Sequence, residues 1–89
     1  MKRIKNFVRK IKVRMDAGHA LDIIEQVCEE HIPGKYVLKK TKTEIVASSK
    51  ISQTVYAWEY EIMNEALIHC LAHSFCAEVI MDELELELD

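Results

Sequence analysis

The sequence predicts an α+β domain, and three observations carry the prediction. Residues 9–15 and 82–89 each alternate apolar and charged side chains with period two, the pattern of a half-buried strand. Residues 17–32 and 54–81 carry apolar residues at helical spacing, the second stretch without a glycine or a proline. Between them, Lys35–Ser49 has two short apolar runs flanking a polar turn.

Taken in order, Arg9–Met15 points Lys10, Lys12 and Arg14 to one side and Ile11, Val13 and Met15 to the other. Residues 1–8 stay open between a basic arm and the start of an amphipathic helix, because Ile4, Phe7, Val8 and Ile11 also recur at helical spacing. Such a helix would lie on an anionic membrane or dock on a partner. Asp16 stands where an N-cap belongs, its carboxylate able to accept from the first unpaired N–H groups of a helix. Leu21, Ile24, Val27, Cys28 and Ile32 form the apolar face of that helix, and Pro33-Gly34 stops it. Tyr36–Leu38 and Ile45–Ala47 then make a hairpin that turns near Thr41-Lys42. Ser48, Ser49 and Ser52 supply the joint before a helix expected over Thr54–Met81, about 40 Å long.

The last segment, Asp82–Asp89, sets two preferences against each other. Leucine and glutamate favour helix, yet Leu84, Leu86 and Leu88 alternate with Glu83, Glu85 and Glu87. Period two is preferred because residues 10–15 have the same alternation and the opposite charge. Paired antiparallel, the lysines and Arg14 would face the glutamates while both apolar rows share the other side. The resulting order, strand–helix–strand–strand–helix–strand, is the ferredoxin-like βαββαβ arrangement: a four-stranded antiparallel sheet with two helices on one face, the second unusually long.

That second helix has two apolar stripes in its later half. Met63, Leu67, Cys70, Ala77 and Met81 form one, and Ile68, Leu71, Phe75 and Val79 form the other, a third of a turn or more away. A helix apolar on two sides is normally covered on both. In a single domain of 89 residues one stripe would face water. Either the basic N-terminal segment folds over it, or a second copy or another protein does. The expected contact residues are Ile68, Leu71, Phe75 and Val79, with Trp58 anchoring the core.

A net charge of −3 hides a division along the chain: all 12 Lys and Arg lie in residues 1–50, where six acids leave +6, and residues 51–89 hold nine acids and no base. The halves neutralise each other or present opposite fields to partners. A composition 49% hydrophobic and 30% charged is that of a globular protein, not a disordered one. The longest uncharged run of the later half, Ala66–Ala77, is too short to span a bilayer, and the basic N-terminus lacks the apolar core of a signal peptide. Three cysteines, Cys28, Cys70 and Cys76, are odd in number and sit at mostly apolar helical positions, which fits buried free thiols in a reducing, cytoplasmic setting.

Among groups that carry chemistry, His69, His73 and Cys76 stand at spacings of four and three, and two imidazoles four apart on a helix can grip one zinc or copper ion. Three ligands on one helix rarely converge, so histidines on a wet or interfacial edge are the preferred reading. Cys70 and Cys76 lie among acidic and apolar residues, which disfavours the thiolate a nucleophile needs. The only glycines, Gly18 and Gly34, form no phosphate loop. The basic residues Lys2, Arg3, Lys5, Lys39, Lys40 and Lys42 offer a nucleic-acid surface, but RNA-recognition sheets stack bases on aromatics of central strands, and Ile45–Ser48 has none. The expectation is a non-enzymatic, self-associating interaction protein, an adaptor or inhibitor of a larger one, with no cofactor. Nucleic-acid binding through the basic half is the alternative, and metal binding ranks below it.

Overall fold

The structure is a computed structural model that describes residues 17–88. Helix α1 spans Ala17–His31, strands β1, β2 and β3 span Tyr36–Lys40, Glu44–Ser49 and Val55–Glu59, a 3-10 turn follows at Tyr60–Ile62, and helix α2 spans Glu65–Leu88. The strands form one antiparallel meander in the order β1-β2-β3. Leu38 stands opposite Ala47, and Ala47 opposite Tyr56.

This is α+β, but it is not the ferredoxin-like βαββαβ fold with four strands. The described chain runs αβββα around a three-stranded sheet, and two expectations fall with that order. The tail is helical, because residues 82–88 continue α2 instead of forming a strand. Extending an existing helix adds one hydrogen bond per residue without a new nucleus, and Leu and Glu are both good helix formers. Period two had no such advantage. The proposed partner strand over residues 9–15, like the Asp16 cap, lies outside the described residues.

The second correction concerns the start of the long helix, which begins at Glu65 and not at Thr54. Val55–Glu59 is a strand whose alternate residues, Tyr56 and Trp58, face the helices. Its β-branched and aromatic content suits a pleated surface better than a helix. Asn64 then caps α2. Its Oδ1 accepts from Leu67 N–H at 2.8 Å, and its carbonyl accepts from Ile68 N–H at 2.9 Å.

Both helices cover one face of the sheet, α1 over β1 and α2 over β3, and pack against each other. The buried set joins Ile24, Cys28 and Ile32 to Ile45 and Trp58 of the sheet and to Ile68, Phe75 and Val79 of α2. Tyr56 packs its ring edge-to-face on Phe75 with centroids 5.5 Å apart. The β1–β2 turn is tied by Thr41, whose Oγ1 accepts from the Glu44 and Thr43 N–H groups at 3.1 and 3.3 Å. At the other end, Ser49 Oγ accepts from the N–H groups of Ile51 and Ser52, each at 3.1 Å, shaping the β2–β3 connection.

Between α1 and β1 the chain reverses at Gly34, whose φ of +75° lies in the left-handed region. A Cβ built there meets nothing within 4 Å, so the penalty of a side chain would be conformational alone. Gly34→Ala is expected to lower stability by about 1 kcal/mol, a shift in urea midpoint with the slope unchanged. An unchanged midpoint would show that the turn relaxes out of this conformation.

Candidate functional site

Helix α2 carries both apolar stripes expected to bear the contact surface. Its 24 residues span about 36 Å. The interior side is held by Ile68, Phe75 and Val79, all with no exposed surface, while Leu71 is half-buried against the same cluster. The stripe expected to be the contact face is therefore covered by the chain's own sheet and α1. Trp58 is buried as a core anchor.

The other stripe is the open one. Of its expected members Met63 precedes α2 and is buried, and Leu67 is half-buried, whereas Ala77, Met81 and Cys70, a thiol expected to be buried, are exposed; Ser74, Leu84 and Leu88 extend the row at spacings of three and four down the solvent side. The residues are small in the middle and large at the end: Met81, Leu84 and Leu88 are 59%, 50% and 86% exposed. Ile80 lies beside them, also exposed. Sequence reasoning missed Leu84 and Leu88 as surface residues because it had turned them inward as strand residues. The helix propensity of the tail was the signal that would have found them.

Three residues, Ser52, Thr54 and Lys35, fasten the helix just before this end. The hydroxyl of Thr54 donates to Asp82 Oδ2 at 2.7 Å, and Ser52 adds a second hydrogen bond; together they hold the Asp82 carboxyl below its ordinary range. Lys35 Nζ reaches both oxygens of Glu83, at 2.7 and 2.6 Å. Among the described residues Lys35 is the partner of this glutamate. The ion pair is about one third exposed on each side, and its value lies in position more than in energy.

The groups proposed for metal do not gather. His69 and His73 are exposed, whereas Cys76 is buried, with its sulfur 3.9 Å from that of Cys28 and directed at the Val27 carbonyl. His73 instead meets His31, ring edge to face at 5.2 Å. Among the described residues no group of three or more His, Cys, Asp or Glu is placed to share an ion. Burial pushes the Cys28 thiol up to about 12, with Cys76 adding to the effect, and burial raises Cys76 as well. Both are protonated at neutral pH, the state of packing residues and not of nucleophiles.

Of the basic residues, Lys2, Arg3 and Lys5 lie outside the described residues. Lys39, Lys40 and Lys42 are exposed at the end of β1 and in its turn. Lys42 shares that end with Glu44, Glu59 and Glu61, which oppose a phosphate backbone. The strand aromatics Tyr36, Tyr56 and Trp58 pack toward the helices, leaving Val37, Lys39, Val46, Ser48, Val55 and Ala57 on the alternate face. Among the described strand residues no ring stands on that face for a base to stack on.

Among the described residues no helix is long and apolar enough to cross a membrane. Comparison with protein-family models, with curated proteins and with solved structures finds no match.

Proposed function

We propose that this chain is a non-enzymatic protein–protein interaction module that self-associates through the solvent side of α2 and serves as an adaptor or inhibitor of a larger protein. The observation that supports the reading is the row Met81, Leu84 and Leu88, three large apolar side chains at least half exposed on one face of one helix. Contiguous apolar surface of this kind marks contact sites more often than chance exposure does. Its spacing of three and four is that of a helix seam that accepts another helix. The protonated, inward thiols and the divided histidines agree with an interaction role.

The experiment is sedimentation equilibrium on the full chain at micromolar concentration, with Leu84→Glu as the variant. Wild type is expected above monomer mass. Leu84→Glu, at a half-exposed position, is expected to return it to monomer with an unchanged far-ultraviolet dichroism spectrum. A monomeric wild type would end the self-association reading; an assembly indifferent to Leu84→Glu would move the contact elsewhere.

A further inference from the structure

The two buried thiols lie where α1 and α2 meet, and the fold brings them together from afar. Cys28 and Cys76 stand 48 positions apart in the sequence, yet their sulfurs are 3.9 Å apart, in van der Waals contact. Cys28 has no exposed surface and Cys76 is 2% exposed. The third cysteine, Cys70, stands apart from them on the exposed side of α2. We propose that Cys28 and Cys76 are an oxidisable pair, which hydrogen peroxide converts to a disulfide that latches α1 to α2.

The geometry asks little of the chain. A disulfide holds its sulfurs about 2 Å apart, so each sulfur has to move about 1 Å. The hydrogen bonds given up are weak sulfur contacts: Cys76 Sγ lies 3.9 Å from the Val27 carbonyl and 3.9 Å from Cys28 Sγ. Among the described residues the buried set holds no polar or charged side chain, so no ion is displaced. Peroxide suits the place. It is little larger than water and enters through small openings between the helices, whereas a bulky disulfide reagent needs them parted. In a reducing setting such a bond is transient, made under oxidant and undone by thiols.

Cys76 is the first sulfur to react. Burial raises both thiols, but a hydrogen bond from Cys28 partly lowers Cys76, and of the two only Cys76 keeps any exposed surface. Its thiolate attacks one peroxide oxygen and the O–O bond breaks. A sulfenic acid is left on Cys76, and the departing hydroxide takes up a proton to become water. The Cys28 sulfur then attacks the Cys76 sulfur, the S–O bond breaks, and the hydroxyl leaves as a second water. Two thiols have lost two protons and two electrons, and one peroxide has become two waters. With both thiols protonated at rest the first step is slow, so the latch answers sustained oxidant and not a brief pulse. The closed loop runs from α1 through all three strands into α2. Closing a loop of this length restricts the unfolded chain and so favours the folded one.

The test uses the full chain with Cys70→Ser, which removes the exposed thiol and any cross-link it makes between copies. The folded protein is treated with hydrogen peroxide, then unfolded in iodoacetamide and weighed by mass spectrometry. The expected product is lighter than the reduced chain by two hydrogens, takes up no iodoacetamide, and yields on digestion a peptide pair joined at Cys28 and Cys76. Its urea midpoint is expected about 2 M above that of the reduced chain, and dithiothreitol is expected to return both mass and midpoint to their starting values. Just above pH 9 the oxidised chain is also expected to lack the loss of stability that thiol ionisation gives the reduced one. Two alkylated cysteines, oxygen added to a sulfur without a bond, or a disulfide between two copies would overturn the proposal. So would a Cys28–Cys76 bond that leaves the midpoint unchanged or lowers it, because the fold would then resist the latch.

Discussion

Replacing Phe75 by alanine is expected to remove about 3–5 kcal/mol of stability. The ring has no exposed surface and lies on α2 where it meets the sheet, edge-to-face with Tyr56. Its loss forfeits the transfer energy of a whole aromatic side chain, the ring–ring contact and the packing around the cavity left behind. A domain of this size has about 5–15 kcal/mol in total, so the variant stands at the edge of unfolding at room temperature. Trp58 is the only tryptophan and is buried, so its emission reports the transition directly. Urea titration followed at Trp58 measures the loss, with Gln26→Ala, at an exposed position of α1, as the control within about 0.5 kcal/mol of wild type. A Phe75→Ala loss under 1 kcal/mol would mean that this ring is not in the core.

A second large effect is expected at alkaline pH and comes from the inward thiols. Cys28 has no exposed surface, and burial lifts it from 9.0 to about 12. The folded state keeps a proton that the unfolded state releases near pH 9. Stability is therefore complete below pH 9, falls as pH rises from 9 toward 12, and falls no further from this group above that. The slope per group is about 1.4 kcal/mol per pH unit at its steepest. Cys76 shifts the same way through burial, and Tyr56, whose hydroxyl is hydrogen-bonded to Glu78, is raised to about 12 and adds to the loss above pH 10. Urea midpoints recorded from pH 8 to 11 are expected to drop steadily above pH 9. In Cys28→Ala the neutral-pH stability is lower and the slope between pH 9 and 10 is shallower. A flat profile across this window would contradict the burial of both thiols.

Parts of this architecture were legible before any coordinates. The helix over α1 follows from Ile24, Val27, Cys28 and Ile32 at helical spacing with Pro33-Gly34 behind them, and the β1–β2 hairpin from two apolar runs around a polar turn. Both are local signals in which pattern and propensity agree. The misreadings arose where the two disagree. Val55, Trp58 and Ile62 can be threaded onto a helical face, so a strand was absorbed into the helix that follows it. Its Tyr56–Trp58 alternation and the capping Asn64 were present but outvoted. In the tail the opposite choice failed, when alternation was set above the helix preference of Leu and Glu. A strand needs a neighbour to bond to, whereas a helix end needs only the turn before it.

The candidate surface was half legible. That α2 has two apolar stripes is visible in its residues, since side-chain angle around a helix depends on position alone. Which stripe is covered is a different kind of fact. Ile68, Phe75 and Val79 are inside because Tyr56 and Trp58 of a strand unrecognised in the sequence lie under α2, and because α1 closes the adjoining side. Composition and spacing determined by themselves that the chain is α+β, divided in charge and over-supplied with apolar helix surface. Only the packing of elements distant in sequence decided that Met81, Leu84 and Leu88 are the ones facing water, because burial belongs to pairs of surfaces and no segment carries its partner's position within itself.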